Sequence, residues 1–416
     1  MGHAFLSFES CHKPTMTAPL DQPSPDLPSA ALPLNRGERL RVILSAVAIV
    51  TLVGVSLSVS GPLLALEMER WGTPSTLAGL TATLAGVGNL MFVPFVPRIA
   101  SRFGVKALVA TMLLLSSALH LAFWAMPYLW VWAAFRFVLG ASIGTLFVLS
   151  EYWISAAADP QRRGFIMGAY ATALALGFAI GPLMLTVTGT QGVLPYAATA
   201  ALILTGLLPL TLIGPNAASV HGSPRASVLS YVRLAPAATL AALTVGAIEI
   251  GAFTQLPVHG LRMGWPEASA AILVSAFAIG NVLFQMPIGW LADRIDRRKI
   301  LLVMSVTAAC LAASLPLTGA VFWPHAALLM LLGGLVGALY TVGLAHLSAR
   351  FANADLVSAN AAFVMLYSVG QMTGPPLLGA GLDIAGVYGV PAAMALVLGL
   401  YGAVVASRLR AGPARG

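Results

Sequence analysis

"RVILSAVAIVTLVGVSLSVSGPLLAL", residues 41–66, is an apolar run in which Arg41, at the first position, carries the only charge. A helix rises about 1.5 Å per residue, so this run would extend over about 39 Å as an α-helix. The hydrocarbon core of a bilayer is about 30 Å thick, and about 20 apolar residues suffice to cross it. The run therefore predicts a transmembrane helix.

The composition of the whole chain agrees with this interpretation. Of its 416 residues, 58% are apolar and 9% are charged, whereas a water-soluble domain averages about 45–50% and about 25%. Eleven further apolar runs are long enough to cross a bilayer, and they lie at 75–97, 107–126, 128–152, 164–187, 194–214, 234–258, 267–291, 300–320, 324–347, 358–382 and 386–407. Continuous runs are typical of helices, whereas barrel strands alternate. The sequence thus predicts an all-α integral membrane protein with twelve transmembrane helices.

A polar stretch at 214–233 divides the predicted helices into two sets of six. We predict a disordered N-terminal tail at 1–39, six-helix bundles at 40–214 and 234–407, a cytoplasmic central loop at 215–233 and a C-terminal tail at 408–416. The N-terminal tail is rich in proline and has too little apolar content to pack. Met16 within it is a second candidate for the first residue.

The basic residues predict how the chain sits in the membrane, because Lys and Arg in short loops stay on the cytoplasmic side. With the N-terminus inside, the basic loop residues fall on the cytoplasmic face, except for Arg70 and Arg262. We therefore expect a multi-pass protein of the plasma (inner) membrane with both termini in the cytoplasm. The net charge of +8 then reflects topology and attraction to anionic lipid. No nucleic-acid partner is expected, because the positive charge is dispersed over many loops.

Two classes of membrane protein lack their sequence motifs here. An ATP-driven pump needs a phosphate-binding loop that ends in Gly-Lys-Ser/Thr, and none of the lysines, Lys13, Lys106 and Lys299, follows a glycine. An intramembrane metalloenzyme needs clustered ligands, and the sequence has no paired-His motif and no Cys pair at metal-binding spacing. We therefore predict no enzymatic activity, no metal and no cofactor. A channel stays possible, and a secondary transporter is the class that fits best.

Internal repetition supports a transporter. Shifting 97–106 by 192 positions places it on 289–298, and shifting 177–183 by 193 positions places it on 370–376. The first pair matches mainly at basic residues, and the second matches Gly-x-x-x-Gly-Pro in both copies. Repeated halves are how many secondary carriers build a site at the bilayer midplane that opens to each side in turn.

The segment "GWLADRIDRR" resembles the best-known signature of the major facilitator superfamily, a cytoplasmic loop with Gly, an acid and several basic residues. Its matching positions are Gly289, Asp293, Arg294, Arg297 and Arg298, while Asp296 replaces the second glycine of the signature. The copy between the second and third helices departs further, with proline and serine in place of the glycine and the aspartate.

Two other segments carry the same resemblance, which covers residues 40–407. Residues 136–140 are similar to the family's Arg-x-x-x-Gly motif on the fourth helix, and Gly168, Gly177, Gly181 and Pro182 resemble its antiporter motif on the fifth, without the usual final Gly-Gly. The resemblance implies two pseudo-symmetric six-helix bundles around a central cavity. It also implies secondary transport by alternating access, among bacterial members near the drug and sugar-efflux carriers.

Ionisable side chains at bilayer depth cost about 2.5–3.5 kcal/mol even on lenient scales, so those present are candidates for function. Three stand out: Arg136 on the fourth predicted helix, Glu151 near its cytoplasmic end and Glu249 well inside the seventh. Burial penalises the ionised form of a carboxyl group, which suits Glu249 to carrying a proton. A structural hydrogen bond is the alternative for Glu249, and an ion pair with Arg162 or Arg163 is the alternative for Glu151.

Arg136 and Glu249 lie at similar depths, about 12 Å and about 15 Å below the outer ends of their helices. The resemblance implies that both helices face the cavity from opposite halves. We therefore predict that ionised Glu249 pairs with Arg136 and that protonation frees Arg136 for substrate. Further candidates for the cavity, each of which could serve packing instead, are Ser56, Ser60, Gln285 and Tyr340.

Two motifs predict how the halves move. Asp293, with the basic residues around it, can bond neighbouring helix ends in one conformation and release them in the other, although topology alone could explain the positive charges. Gly and Pro residues loosen the fifth and eleventh helices, which predicts either bending or a static kink at these positions. They are Gly177, Gly181, Pro182, Gly374 and Pro375.

The sequence thus predicts a monomeric, proton-coupled secondary transporter of a small organic molecule, and we favour export over import. Its partners would be that molecule, protons and the lipid bilayer. The first alternative is a proton-coupled importer of a sugar or an organic acid. The second is a membrane receptor that does not transport.

Overall fold

The computed structural model describes residues 35–157, 163–213, 235–292, 294–350 and 353–410. In these ranges the chain is helical, without a strand, which confirms the predicted all-α fold. Its longer helices, which we number in chain order, are α1 (Arg36–Arg70), α2 (Ser75–Phe92), α3 (Val105–Ala125), α4 (Leu129–Ala157), α5 (Arg163–Thr188), α6 (Leu194–Leu204), α7 (Pro236–Arg262), α8 (Glu267–Ala292), α9 (Arg297–Ser314), α10 (Phe322–Ser348), α11 (Asn353–Ala385) and α12 (Gly389–Arg410).

Ten stretches of the described residues are long and apolar enough to cross a membrane. One of them, Ala362–Arg410, includes most of α11 and the whole of α12, and the apolar part of α5 is a shorter segment, Thr172–Thr188. The predicted runs and the observed helices therefore coincide, and they differ mainly at their ends. The short helix Val96–Phe103 extends the second predicted run, and the short helix Leu207–Thr211 lies in the last part of the sixth.

α1 begins earlier than the sequence analysis predicted. Asn35 Oδ1 accepts a hydrogen bond from the Glu38 backbone N–H at 2.8 Å, and Glu38 Oε2 accepts one from the Asn35 backbone N–H at 2.9 Å. This capping box satisfies N–H groups at the start of the helix. The predicted disordered tail at 1–39 is therefore wrong for its last four residues, which are helical. The rest of that tail up to residue 34, the predicted central loop and residues 411–416 lie outside the described residues.

Two hydrophobic cores correspond to the two halves of the chain. One core draws almost all its buried residues from 42–213, and a second draws almost all of its own from 237–405. In the first half α1 packs on α5 and α2 on α4, and in the second half α7 packs on α11 and α8 on α10. The same helix pairs thus recur in each half.

Glycines make the closest of these contacts, at equivalent positions in the halves. A Cβ atom on Gly177 of α5 would lie 2.3 Å from a carbonyl oxygen of α1, and one on Gly370 of α11 would lie 2.1 Å from a carbonyl oxygen of α7. Gly54 and Gly246 complete the two contacts from α1 and α7. Because real Cβ atoms do not approach this closely, only glycine permits these backbones to touch.

The halves meet mainly through α2 against α11, α5 against α8 and α1 against α7. A Cβ atom on Gly79 of α2 would lie 2.4 Å from the Pro375 carbonyl oxygen of α11, and Thr83 donates a hydrogen bond to the Met372 carbonyl oxygen. We call the end of the helices that carries Arg70 and Arg262 the distal end, and the end that carries Arg36 and Arg410 the proximal end.

Candidate functional site

Glu249 occupies the middle of α7, thirteen residues from either end of the helix and so about 20 Å from each. It is the one acidic residue that is buried in the described part of the chain. Asn281 of α8 donates from Nδ2 to its Oε1 at 3.0 Å, and Tyr367 of α11 donates from its hydroxyl group to Oε2 at 2.6 Å. Three helices of one half therefore converge on this carboxyl group.

A second amide extends this arrangement. Gln285, one turn after Asn281 on α8, donates from Nε2 to the Asn281 side-chain oxygen at 2.6 Å, and we call Glu249, Asn281, Tyr367 and Gln285 the Glu249 cluster. Both Asn281 and Gln285 are partly accessible. Hydrogen bonds to an ionised acceptor are stronger than those to a neutral one. The cluster can therefore hold the carboxylate without a cation and also accommodate the protonated acid.

Asn281 has a counterpart in the first half, at Asn89. A Cβ atom on Gly337 would lie 2.0 Å from the Asn281 side-chain oxygen, and one on Gly144 would lie 1.9 Å from the Asn89 side-chain oxygen. Both asparagines thus lie directly against a glycine of the neighbouring helix. The position that corresponds to Glu249 after a shift of 192 is Leu57, so the carboxyl group occurs in only one of the two halves.

Arg136 of α4 is buried, and its Nε and Nη2 atoms have no hydrogen-bond partner among the described residues. Tyr196 of α6 interacts with it electrostatically. The ion pair predicted between Arg136 and Glu249 is not among the salt bridges of the described chain. In this conformation the pair prediction is therefore wrong, because both oxygens of Glu249 already accept hydrogen bonds from their own half.

Glu151 lies near the proximal end of α4 and is partly accessible. It interacts electrostatically with Tyr170 of α5 and with Tyr340 of α10, and Glu249 acts on Tyr340 as well. Tyr340 packs edge-on against Tyr367, with ring centroids 5.4 Å apart. Tyr340 therefore lies within electrostatic range of one carboxyl group from each half. The alternative partners predicted for Glu151, Arg162 and the Arg163 side chain, lie outside the described residues.

Ser56 and Ser60, which were predicted to line the cavity, lie on α1, and Ser60 forms hydrogen bonds within the first half. Ser60 donates to the Ser56 carbonyl oxygen, and its hydroxyl group lies 3.0 Å from His120 Nε2. The Ser56 hydroxyl group is buried without a hydrogen-bond partner in the structure. These contacts fix Ser60 and His120 to each other, and the cavity role of Ser56 and Ser60 stays a prediction.

The loop that resembles the family signature connects α8 to α9, and Asp293 itself lies outside the described residues. Arg294 stacks its guanidinium group on the Trp290 ring, 3.7 Å from the ring centre. Asp296 accepts a hydrogen bond from the Arg298 backbone N–H at 2.9 Å and so caps the start of α9. The acid that departs from the signature thus has a structural role. Gly289, Arg297 and Arg298 surround this turn on α8 and α9.

The predicted bending motif lies within continuous helices. α5 runs through Pro182 and α11 runs through Pro375 without a break in the helix. A Cβ atom on Gly181 would lie 1.9 Å from the Ser58 hydroxyl oxygen, and one on Gly374 would lie 1.9 Å from a carbonyl oxygen of α7. These glycines therefore permit close packing, and the bending of the helices stays a prediction.

Charged residues join the two halves at the distal end. Arg70 at the end of α1 pairs with Glu267 at the start of α8, and Arg262 at the end of α7 binds Glu69 with Nε at 2.8 Å and Nη2 at 3.0 Å. Thr190 also donates a hydrogen bond to Glu267. Bidentate Arg–carboxylate contacts are among the stronger charge-assisted hydrogen bonds. The distal end is thus closed by two ion pairs between the halves.

Asp383, at the end of α11, completes this distal network, which comprises Glu69, Arg70, Arg262, Glu267 and Asp383. It accepts hydrogen bonds from the backbone N–H groups of Ser75 at 2.9 Å and Thr76 at 2.8 Å. It also lies 3.7 Å from Arg262 Nη2. A carboxylate of the second half therefore caps the N-terminus of α2 in the first half, where the helix dipole favours a negative charge.

Tyr367, Glu69 and Glu267 were not predicted as functional residues. One signal could have found the network: Arg70 and Arg262 are the two loop arginines predicted on the non-cytoplasmic face, and they are 192 positions apart, the spacing of the repeats. Tyr367 had no such signal, because a tyrosine in an apolar helix is most often a packing residue.

A Gly-x-Ser-x-Gly sequence is present, but its local structure differs from that of a hydrolase. Residues 140–144 read Gly-Ala-Ser-Ile-Gly, which in hydrolases is a strand–turn–helix elbow. Here Ser142 lies inside the continuous helix α4 and donates to the Val138 carbonyl oxygen at 3.0 Å. Among the described residues no group of three or more His, Cys, Asp or Glu side chains is placed to hold a metal ion.

Comparison with curated proteins finds relatives that are themselves membrane transporters by name. The chain is 26% identical over 349 residues to the Uncharacterized MFS-type transporter YfkF of Bacillus subtilis (strain 168), covering 79% of this chain and 85% of that protein. It is 25% identical over 328 residues to the Uncharacterized MFS-type transporter YcaD of Salmonella dublin, covering 78% and 84%.

Solved structures share the fold. The nucleoside transporter NupG superimposes with a TM-score of 0.71 at 15% identity, over 90% of this chain and 98% of that one. A D-xylose-proton symporter superimposes with a TM-score of 0.67 at 16% identity, over 89% and 97%. A bacterial homolog of the human lysosomal transporter Spinster, described as inward-facing and unoccupied, does so with a TM-score of 0.69 at 15% identity, over 90% and 96%.

The family model of the Major Facilitator Superfamily matches residues 46–276 and 262–415. These matches cover almost all of the helical part of the chain, including the Glu249 cluster and the distal network. Together with the shared fold, they account for the two cores and the repeated glycine contacts described above. The chain therefore belongs to the Major Facilitator Superfamily of multi-pass membrane transporters.

Proposed function

We propose that the chain is a proton-coupled secondary transporter that moves a small organic molecule across the cytoplasmic membrane, with Glu249 as the proton carrier. The observation that carries this proposal is a buried carboxyl group in the middle of a membrane span whose hydrogen-bond donors are neutral. An ionisable group at this depth is costly and marks a functional site by default. Because no cation holds Glu249 ionised, it can gain and lose a proton during the cycle.

The substrate would bind between the halves, where polar side chains of both approach each other. Glu151 of the first half and Glu249 of the second both act on Tyr340, and Gln285 is partly accessible beside them. Arg136 would bind substrate or pair with Glu249 in another conformation, because its buried Nε and Nη2 atoms have no hydrogen-bond partner among the described residues, which is unfavourable. Ser56 and Ser60 would line the same space from α1.

The orientation of the chain follows from its basic loops, which we place in the cytoplasm together with both termini. The proximal end then faces the cytoplasm, and the distal network closes the outer side. With this orientation, a closed distal end would correspond to an inward-facing conformation in the alternating-access cycle. We favour export, since the glycines of the antiporter-like segment form the close contact between α1 and α5, and we propose that the transporter acts as a monomer.

The signature loop between α8 and α9 would act at the proximal end when the cavity closes there. The charged residues of this loop can form hydrogen bonds with neighbouring helix ends in one conformation and lose them in the other. They are Asp293, Arg294, Arg297 and Arg298. Gly289 would permit the approach of another helix, because a Cβ atom there would meet only Thr341 at 3.9 Å. Bending of α5 and α11 at their Gly-Pro sequences would accompany this motion.

The test begins with a thermal-shift screen of the purified protein against nucleosides, sugars, organic acids and cationic drugs. A stabilising compound is then used in proteoliposomes, where a pH gradient should drive its accumulation. Glu249→Gln should abolish this accumulation and keep substrate exchange, because exchange needs no net proton movement. Asp296→Asn, which also replaces an acid by its amide but keeps a helix-capping side chain, should behave like the parent.

The outcomes separate the alternatives. Accumulation by Glu249→Gln against a gradient would exclude Glu249 as the proton carrier. Uptake in the direction of the proton gradient would indicate an importer, for which the similarity in fold to a D-xylose-proton symporter is the supporting observation. Binding without exchange by the parent protein would indicate a receptor.

A further inference from the structure

Two buried histidines face each other toward the distal ends of α7 and α10, outside the Glu249 cluster. The Nε2 atoms of His259 and His325 lie 3.3 Å apart, and the two ring planes are inclined by only 25°. Each residue is 1% exposed. Neither residue belongs to the distal network or to the proposed proton site, so the pair has no role in transport as described above.

His325 is held so that its Nε2 atom is free to accept. Its Nδ1 atom lies 2.9 Å from the Thr318 hydroxyl group, and the ring also hydrogen-bonds the backbone of Leu315. A histidine whose Nδ1–H donates to a carbonyl oxygen has its lone pair on Nε2. Metal-binding histidines are oriented by a second hydrogen bond of this kind. The lone pair of His325 is therefore directed toward His259.

The geometry of the pair fits a shared metal ion. An ion bonded to both Nε2 atoms at about 2.05 Å would subtend an angle of about 107° at their 3.3 Å separation, close to the tetrahedral value of about 109°. The ring centroids would then lie about 5.2 Å apart, which is the observed separation of 5.2 Å. The same 3.3 Å separation is within hydrogen-bonding distance, so the two rings can share a proton when no ion is bound.

A third donor lies beside the pair. Met263, at the end of α7, lines the same cavity as His259 and His325, and the cavity has a volume of about 60 Å³. The short 3-10 helix Gly386–Tyr388 before α12 lines it as well, through Tyr388. A cavity of this size holds an ion and a water molecule, since one water needs only about 10–15 Å³ of such volume.

The charge of the donors selects the ion. Two imidazoles and a thioether are neutral, and the residues that line the cavity include no carboxylate. A divalent ion would leave two uncompensated charges in a buried site, whereas a monovalent ion leaves one. Thioether and imidazole ligands together suit copper in its monovalent state. We propose that His259, His325 and Met263 form a binding site for Cu(I) that joins α7 to α10.

The test measures Cu(I) binding directly and does not depend on transport. Full-length protein carrying Cys11→Ser and Cys310→Ser, so that thiols do not contribute, is titrated anaerobically against the coloured Cu(I) complex of bicinchoninate. The parent should remove one Cu(I) per chain from the indicator. His325→Gln and His259→Gln should each weaken binding at least 100-fold, and Met263→Leu should weaken it about tenfold.

The matched control is His120→Gln, which removes a buried histidine of the first half that bonds Ser60. This variant should keep the affinity of the parent. Met263→Leu conserves volume and so keeps the fold even where the histidine variants do not. Failure of the parent to compete for Cu(I), or an unchanged affinity in Met263→Leu together with either histidine variant, would overturn the proposal. The same titration with Ag(I), which is redox-inert, should give the same order of affinities.

Discussion

Arg70 and Arg262 are 192 residues apart, lie at the ends of α1 and α7, and each binds a carboxylate of the opposite half. Their environments correspond as well. Arg70 contacts Thr190 after α5, and Arg262 contacts Asp383 at the end of α11, and these two partners are 193 positions apart. The two arginines and these second partners thus follow the internal repeat of the chain. The paired carboxylates do not follow it, since Glu69 lies at the end of α1 and Glu267 at the start of α8.

Breaking one ion pair should open the distal end. Arg262→Gln leaves Glu69 and Asp383 without their cation, and each lost hydrogen bond to a charged group is worth about 1.5–3 kcal/mol, or about tenfold to 100-fold in a conformational equilibrium. Spin labels at Tyr128→Cys and Leu317→Cys, exposed near the distal end of each half, should move apart in pulsed EPR measurements on a background without other cysteines.

The matched comparison is a double-mutant cycle with Glu69→Gln. Because the two side chains bind each other, the double variant should open no further than Arg262→Gln alone. Additive effects of the two changes would mean that the pair does not hold the distal end closed.

Removing the tyrosine donor of the Glu249 cluster should impair coupling more than folding. Tyr367→Phe deletes the 2.6 Å hydrogen bond to Glu249 Oε2 and should lower pH-driven turnover about tenfold, because the ionised carboxyl group loses one of its two donors. Tyr401→Phe deletes a buried tyrosine hydrogen bond to the Ala237 carbonyl oxygen at 2.8 Å, and should cost about 1 kcal/mol of stability without changing the pH profile. Equal pH profiles of the two variants would contradict a role of the Glu249 cluster in proton coupling.

Close glycine packing predicts opposite effects of alanine at two helix positions. Gly177→Ala would place a Cβ atom 2.3 Å from a carbonyl oxygen of α1, and should lower stability by about 1–3 kcal/mol through overpacking. Gly399→Ala, inside α12, meets no atom within 4 Å and should raise stability by up to about 1 kcal/mol. Thermal unfolding in detergent measures both. A similar effect of the two substitutions would contradict the proposed contact between α1 and α5.

The signature loop predicts a kinetic effect. Asp293→Asn should slow turnover while leaving ligand affinity and membrane insertion unchanged, because the loop biases conformations and does not touch substrate. Asp296→Asn, which preserves the cap on α9, should transport at the parent rate. Counterflow at saturating substrate measures the transport rate of the parent and of both variants. Equal rates in all three proteins would show that Asp293 does not take part in the conformational change.

Helices and their order were predictable from this sequence because a bilayer demands long apolar runs with internal hydrogen bonds. Glu249 was predictable for the same reason, since a single acid in such a run is costly. Its partner Tyr367 was not, because which side of α11 faces α7 depends on the contact at Gly246 and Gly370. The contact between Asp383 and the start of α2 was not predictable either, since it joins residues 308 positions apart.

Asn89 and Asn281 lie against equivalent glycines, yet only Asn281 has a carboxyl group to bind. At this position the first half has only the packing contact, and the second half adds a carboxyl group to it. The same arrangement of helices therefore accommodates either Leu57 or Glu249, so the two halves can differ in chemistry while they keep one shape.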